Sequence, residues 1–364
     1  MIITSVETTV HDVPTRRHQR DSIQSFDAVE YAITKIRTDD GLEGVGWTYT
    51  ISGAAEAVKS IIDVAYTPLL IGQNPSAIEY LWKKMWTRTH AAGAAGVTTM
   101  AIAAVDIALW DLAGKRAGLP LYELFGKHRG EVSAYASGIN FDLTIDELKA
   151  EMAGFKAQGV SAFKMKVGKD LVSEDVARVR AVRETVGEDG QIMVDLNQKY
   201  TAGEVMNVAK QFDGLNLTWL EEPVRADDWS GYETISRNVN IPIAAGETHY
   251  TKYEFKELMS RGLIQFVQAD VYRVAGITEW FKIAHMAEAF NLPMAPHAAE
   301  EITVHLLCSI PNAYILEYAP MANFNDSGAI RNPMKPVNGK VSPPQNPGHG
   351  FDLDWAVLDS WKRR

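Results

Sequence analysis

Residues 192–223 read IMVDLNQKYTAGEVMNVAKQFDGLNLTWLEEP. Ile192–Leu196 and Trp219–Glu222 are short apolar runs of strand length, and each closes on acidic residues. Helical spacing fills the interval between them. Strand, helix and strand within about 30 residues make one unit of a parallel α/β fold. The unit recurs on both sides. Strands are predicted at 132–137, 162–167, 192–196, 219–222, 241–245, 266–269, 293–295 and 314–316. Amphipathic helical stretches lie between them, among them 144–158, 174–186 and 277–290. Eight such strands with intervening helices predict a (β/α)8 TIM-type barrel. A doubly wound open sheet is the rival, but no glycine-rich phosphate loop follows the first strand.

The residues before this array read differently. Ile2–Val13, Tyr31–Arg37 and Gly44–Tyr49 are strand-like, with a turn signal at Thr38-Asp39-Asp40-Gly41. Helical patterns follow at 54–65, 77–89 and 98–116. The last is rich in Ala, Ile, Leu and Trp and is expected to be buried on most faces. After Asn323 the chain turns rich in Pro, Gly and Asn and ends in FDLDWAVLDSW. The expected division is an α+β capping domain at 1–128, joined by a returning tail at 335–364, and a barrel at 129–334.

With 364 residues and 46% hydrophobic residues, the chain can bury a sizeable core. A formal charge of −10 argues against nucleic-acid and anionic-membrane partners, though not against a small anionic substrate held in a local site. The lone cysteine, Cys308, excludes a disulfide framework and suits a reducing compartment. No run of 18 apolar residues and no signal-peptide pattern is read, so the cytoplasm is the expected location. A homo-oligomer is the base expectation for such an enzyme.

The chemistry collects at the predicted strand ends. Asp195, Glu221 and Glu247 recur every 26 residues, about one βα unit apart. That spacing puts them at one height on adjacent strands, at the C-terminal face where barrels of this kind carry their sites. One such carboxylate would as readily sit in a salt bridge. Three in a dry site require a cation, and an all-oxygen set favours Mg²⁺, with Mn²⁺ as a substitute. Glu222 alternates with Glu221 and is expected to point away. Lys164 and Lys166 in AFKMKVG share a strand face, where anionic neighbours are expected and at least one pKa is read as lowered toward the working range. Asp270 and His297 close neighbouring strands, and a carboxylate beside an imidazole suits a general acid–base pair. His249, His285 and His305 are read as ordinary structural residues.

KMK at 164–166, VDLN at 194–197, LEEP at 220–223, GE at 246–247, AD followed by RVAGIT at 269–278, PH at 296–297 and LEY at 316–318 together resemble the enolase superfamily. The likeness is to its mandelate racemase-like group and its acid-sugar dehydratases. It spans most of the chain and includes the helix within 103–126. Ala275 departs from the pattern, where a second glycine is common. The resemblance implies Mg²⁺ on Asp195, Glu221 and Glu247. It makes Lys166 a base on one substrate face and His297, paired with Asp270, the group on the other. Lys164 and Glu317 would contact the substrate carboxylate, Glu317 as a hydrogen-bond donor if its pKa is raised. Ser137 takes the place of an electrophile, and Asn197 would face the site.

A proton beside a carboxylate is weakly acidic, because its removal places a second negative charge next to the first. A Mg²⁺ ion with a Lys or His base is the solution the superfamily uses. The expected reaction is dehydration of an acid sugar, an aldonate or aldarate, to a 2-keto-3-deoxy acid. Racemisation or epimerisation of a 2-hydroxy acid, sugar-acid lactone cycloisomerisation and a non-enzymatic metal-stabilised barrel are the alternatives. The stretch PTRRHQRDS at 14–22 is read as a specificity loop, with Arg17 as its substrate contact, suited to an anionic and even dicarboxylic polyol.

Overall fold

In the computed structural model, residues 1–51, 53–320 and 323–363 are described. Residues 321 and 322 of the expected barrel range and residue 364 of the expected tail lie outside them.

Three antiparallel strands open the chain: β1 (Ile3–Arg20), β2 (Ser25–Thr38) and β3 (Glu43–Thr50). The first two are longer than the sequence pattern indicates. Residues 14–20, read as a loop, belong to β1 and pair again with β2 after a register shift between Pro14 and Gln19. Their charged composition concealed a strand whose side chains are held by ion partners rather than by a core. The helix Val97–Ala117 packs on β3 at close range. Gly44 and Gly46 allow this, since a Cβ there would lie 2.2 Å from the Ala108 carbonyl oxygen and 2.3 Å from that of Ala104. That helix is long and apolar enough to cross a membrane, but 78% of its most apolar window is buried inside the protein as a core helix.

The barrel runs through β4 (Val132–Ser137), β5 (Ala162–Lys166), β6 (Gln191–Asp195), β7 (Leu217–Glu221), β8 (Ile243–Ala245), β9 (Phe266–Val267) and β10 (Leu316–Tyr318), all parallel. The predicted strand at 293–295 is reduced to single pairings, Met294 bridging Val267 on one side and Ala313 on the other. The last strand sits two residues later than predicted and closes the circle by pairing with β4. Helix starts follow local chemistry. Thr144 with Glu147, and Thr201 with Glu204, form reciprocal capping boxes at the helices Ile145–Ala157 and Ala202–Gln211.

Alternation along each strand divides the barrel into two layers. Phe163, Met165, Val194 and Leu220 face the surrounding helices in the main core. Tyr135, Ala162, Met193, Trp219 and Ala244 fill the barrel interior. Lys164, Lys166, Asp195 and Glu221 continue the inward rows at the strands' C-terminal ends.

The cap is welded to the barrel at the start of the helix Ile277–Ala289. Asp106 accepts from the Thr278 backbone N–H at 3.0 Å and from its hydroxyl at 2.6 Å. Gly276, at φ +96, leaves room for it, since a Cβ would lie 2.5 Å from the carboxylate. Ala275 adopts φ +77, a backbone state that costs a residue with a Cβ about 1–2 kcal/mol. The tail first adds β11 (Lys340–Val341) antiparallel to β4, then returns to β1, where Arg363 N–H donates to the Val10 carbonyl.

Candidate active site

Asp195 ends β6, Glu221 ends β7 and Glu247 follows β8 after Gly246, which at φ +146 passes close to the Gln268 backbone. One oxygen from each of the three lies within 4.8 Å of the others, and all three residues are buried. Glu247 Oε2 has no hydrogen-bond partner among the described residues, though His297 Nε2 stands 3.3 Å from it. A buried all-oxygen cluster with an orphaned acceptor fits a hard divalent cation.

Both lysines enter this cluster from β5. Lys164 Nζ lies 2.5 Å from Glu221 Oε1, 2.7 Å from Glu317 Oε1 and 3.7 Å from Asp195 Oδ2. Lys166 Nζ lies 2.5 Å from Asp195 Oδ2. Burial works against both charges, yet the carboxylates outweigh it. Glu221 and Glu317 hold Lys164 well above the usual lysine range, and Asp195 raises Lys166. The expectation of a lowered lysine pKa therefore has the wrong sign here, because anionic company favours the ammonium. Burial raises Glu221 to about 7, with Lys164 opposing it.

On the other flank, His297 Nδ1 lies 2.9 Å from Asp270 Oδ2 and its Nε2 lies 3.3 Å from Glu247 Oε2. Burial opposes the imidazolium, but Glu247 and Asp270 prevail and raise His297 to about 9. Glu317, readable either as a donor if its pKa is raised or as a structural anchor, is shifted downward. Burial would raise it, but Lys164 and His297 hold it well below the carboxylate range. It accepts the Ala298 backbone N–H at 2.9 Å, so it anchors the turn that carries His297. Ser137 lies beside Glu317 and helps to lower it, and Asn197 Oδ1 is buried without a partner among the described residues.

These residues face a cleft of about 790 Å³, measured out to its mouth, between the cap sheet and the barrel's C-terminal face. Lys166, Glu247, His297, Glu317, Ser137 and Asn197 line it from the barrel. Asp21, Gln24, Phe26, Tyr31, Tyr49 and Ile51 line it from the cap.

Arg17 does not line the cleft. It donates to Glu151 Oε2 at 2.7 Å, Asn140 donates to Glu151 Oε1 at 3.1 Å, and the Lys166 backbone N–H donates to Asn140 Oδ1 at 3.1 Å. Its link to the site is therefore a relay to the Lys166 backbone, possible because β1 carries Arg17 over the helix Ile145–Ala157. Arg16 and Arg20 turn instead to Asp326 and Asp142.

Three residues outside the expected catalytic and metal set, Arg273, Tyr49 and Glu222, tie together the loops around the triad. Arg273 donates to the Glu247 carbonyl at 2.7 Å and to the Tyr49 hydroxyl at 3.3 Å, and Tyr49 in turn donates to Asp270 at 3.4 Å. Arg273 opens the RVAGIT motif, a position that could have signalled it. Glu222 points away from the triad and accepts from Gln198 at 3.0 Å and from Thr248, joining the loops after β6 and β8. Asn197, Gln198, Glu222, Ala298 and Ala299 all take positive φ, strain gathered at the strand ends around the site. Among the histidines read as structural, His249 sits in a box of Trp229, Tyr232 and Phe255, where burial lowers it to about 4. His305 is lowered by burial to about 3, and its Nε2 bonds the His349 carbonyl.

Residues 4–126 match the family described as "Mandelate racemase / muconate lactonizing enzyme, N-terminal domain", and residues 147–357 match "Enolase C-terminal domain-like". A 3,6-anhydro-alpha-L-galactonate cycloisomerase of Streptomyces coelicolor is 37% identical over 98% of both chains. An arabinonate dehydratase of Saccharolobus solfataricus is 32% identical over 92% of this chain and 91% of the relative. A solved structure described as a racemase from Streptomyces coelicolor with bound magnesium superposes with a TM-score of 0.96 at 36% identity, covering all of both chains. With both halves matched and full-length relatives in sequence and structure, this chain belongs to the mandelate racemase and muconate lactonizing enzyme group of the enolase superfamily.

Proposed function

We propose that this protein is a Mg²⁺-dependent enzyme that removes the proton α to the carboxylate of a sugar acid and expels the oxygen on the β-carbon. The carrying observation is the placement of two proton-handling groups on opposite flanks of one carboxylate triad in one cleft. Lys166 stands on the Asp195 side, and His297 with Asp270 stands on the Glu247 side.

Asp195, Glu221 and Glu247 would hold the Mg²⁺, with Mn²⁺ as a substitute. Bound there, the ion supplies Lewis-acid stabilisation of the charge that develops on the substrate carboxylate. Lys166 takes the α-proton. Its ammonium is favoured while Asp195 is its partner, and burial lowers its pKa once that carboxylate is engaged elsewhere. Lys164 faces the substrate carboxylate and meets the growing charge with its own. The bond from the β-carbon to its oxygen then breaks, the electron pair leaving with the oxygen. His297 delivers a proton to that oxygen, held in orientation by Asp270. The resulting enol becomes a 2-keto-3-deoxy acid. Glu317 positions His297 and Lys164, and Ser137 and Asn197 offer polar contacts to substrate.

With a free β-hydroxyl the departing oxygen leaves as water, which makes the enzyme an acid-sugar dehydratase. A second reading is favoured by the 37% identical cycloisomerase. If the β-oxygen belongs to a ring, the same bond breaks and the ring opens without loss of water. We take residues 1–128 with 335–364 as the cap and 129–334 as the catalytic barrel, in a cytoplasmic homo-oligomer. The buried free thiol of Cys308 suits a reducing compartment.

The test is incubation with Mg²⁺ and a panel of aldonates, aldarates and anhydro-sugar acids in D₂O, reading keto acid and product mass. Keto acid lighter than substrate by one water supports dehydration, and keto acid of unchanged formula supports ring opening. Deuterium at Cα without keto acid would replace β-elimination with racemisation. Absence of both from every acid would sink the proposal.

A further inference from the structure

The lining of the cleft is of two chemical kinds. Lys166, Arg273 and His297 are the cationic side chains lining the cleft among the described residues, and each is engaged at the triad. Lys166 is paired with Asp195, Arg273 with Glu247 and Asp270, and His297 with Asp270 and Glu247. The arginines of residues 14–20 are tied to Asp326, Glu151 and Asp142 and contribute nothing to it.

Beside these cations the lining carries acidic and aromatic side chains, Glu300, Glu301, Tyr31 and Tyr272 among them. Glu300 and Glu301 begin the helix Glu300–Leu307 just after His297, and both are at most 2% exposed. Asn323 donates to Glu300, but Glu301 Oε1 has no partner among the described residues. The Tyr272 hydroxyl, also buried and lining the cleft, has none either. Burial and then Glu301 push the Tyr272 and Tyr31 hydroxyls well above the usual tyrosine range, so these groups lie within one another's field. An orphaned carboxyl oxygen and an orphaned phenol together can accept from and donate to a neutral hydroxyl. Burial pushes both glutamates upward, Glu301 to about 7, so above that pH a carboxylate placed there would meet the charge of Glu301 and no free cation among the described residues.

We propose that the part of the cleft built on Glu301 and Tyr272 reads an uncharged hydroxyl or ring-oxygen group, so that the substrate is a monocarboxylic sugar acid and dicarboxylic sugar acids are rejected. This deepens the α-proton reading above and rests on it for the orientation of the substrate carboxylate toward the triad. It also narrows the reading from the arginines of residues 14–22, which left a dicarboxylic substrate open.

Equilibrium titration of the Mg²⁺-supplemented protein at pH 8 with matched pentonate–pentarate and hexonate–hexarate pairs, galactonate and galactarate among them, tests it. In the tightest-binding pair the monoacid should bind at least tenfold more tightly than its diacid. Glu301→Gln should narrow that ratio at least threefold, and Tyr272→Phe should weaken the monoacid at least threefold. A diacid that binds as tightly as its monoacid, a ratio unchanged in Glu301→Gln, or no binding in either series would overturn the proposal. Binding is read without turnover. A failure of the α-proton chemistry would therefore appear separately, as a preserved monoacid preference with no deuterium exchange at Cα.

Discussion

Replacing Asp270 with Asn isolates the part played by His297. Asn has nearly the same shape, so the ring keeps its surroundings and loses the charge 2.9 Å from Nδ1. An opposite charge at contact distance shifts a titrating group by about 1–3 units, equal to about 1.4–4 kcal/mol. Burial lowers His297, but Glu247 and Asp270 more than offset it and bring it to about 9. An acid with a raised pKa holds its proton below that value and loses it as pH rises through it. β-Elimination, which needs the protonated ring, should therefore fail on the alkaline side at a pH about 1–3 units lower in Asp270→Asn than in wild type. The comparison is between two proteins carrying the same metal, so the ion's own effect on His297 largely cancels. At neutral pH a ring so shifted stays at least about a tenth protonated, so keto-acid formation should fall by at most about tenfold, against about 10²–10⁴-fold when the general acid itself is removed in His297→Asn. Keto-acid release across a pH series gives the limb, and Cα–deuterium exchange in the same samples reports Lys166. His297→Asn is the companion variant and should lose elimination while exchange persists. An alkaline limb that stays put or moves upward, or full elimination in His297→Asn, refutes the assignment.

Lys166→Met should lower Cα–deuterium exchange by about 10²–10⁴-fold, the contribution of a positioned base; exchange at the wild-type rate would remove Lys166 from the reaction. Chelation should abolish turnover reversibly and lower the thermal midpoint. An ion at a hundred times its dissociation constant contributes about 2.7 kcal/mol to the folded state, and identical midpoints with EDTA and with Mg²⁺ would count against the triad. Burial raises Asp106 to about 7, so the folded state holds that proton more tightly than the unfolded chain does. The associated stability is complete below about pH 4 and is lost as pH rises through 7, at most about 4 kcal/mol. Asp106→Asn should flatten that slope in denaturant titrations, and an unchanged slope would show that Asp106 does not titrate there.

The barrel was legible because its strands are apolar runs at regular intervals, each ending in a chemical residue. The 26-residue pitch of Asp195, Glu221 and Glu247 is a property of the chain, and the three carboxylates converge within 4.8 Å as that pitch implies. Lys164 and Lys166 share a face because a strand has a period of two. Where a strand shrinks to a single pairing, as at Met294, local pattern still finds the apolar residue but not the extent of the ladder.

The sequence by itself determined which residues stand at the strand ends and on which face, since both follow from local periodicity. Only the tertiary structure decided what each side chain meets. Arg17 belongs to a strand that crosses the helix Ile145–Ala157, where Glu151 claims it before any substrate could. Glu317 is held below the usual carboxylate range, against its burial, because Lys164 and His297, distant in sequence, converge on it. Arg273 and Tyr49 join the cap to the catalytic loops through contacts across more than 200 residues of chain. Electrostatic character depends on burial and on partners brought together by folding, and neither is a property of a residue's neighbours along the chain.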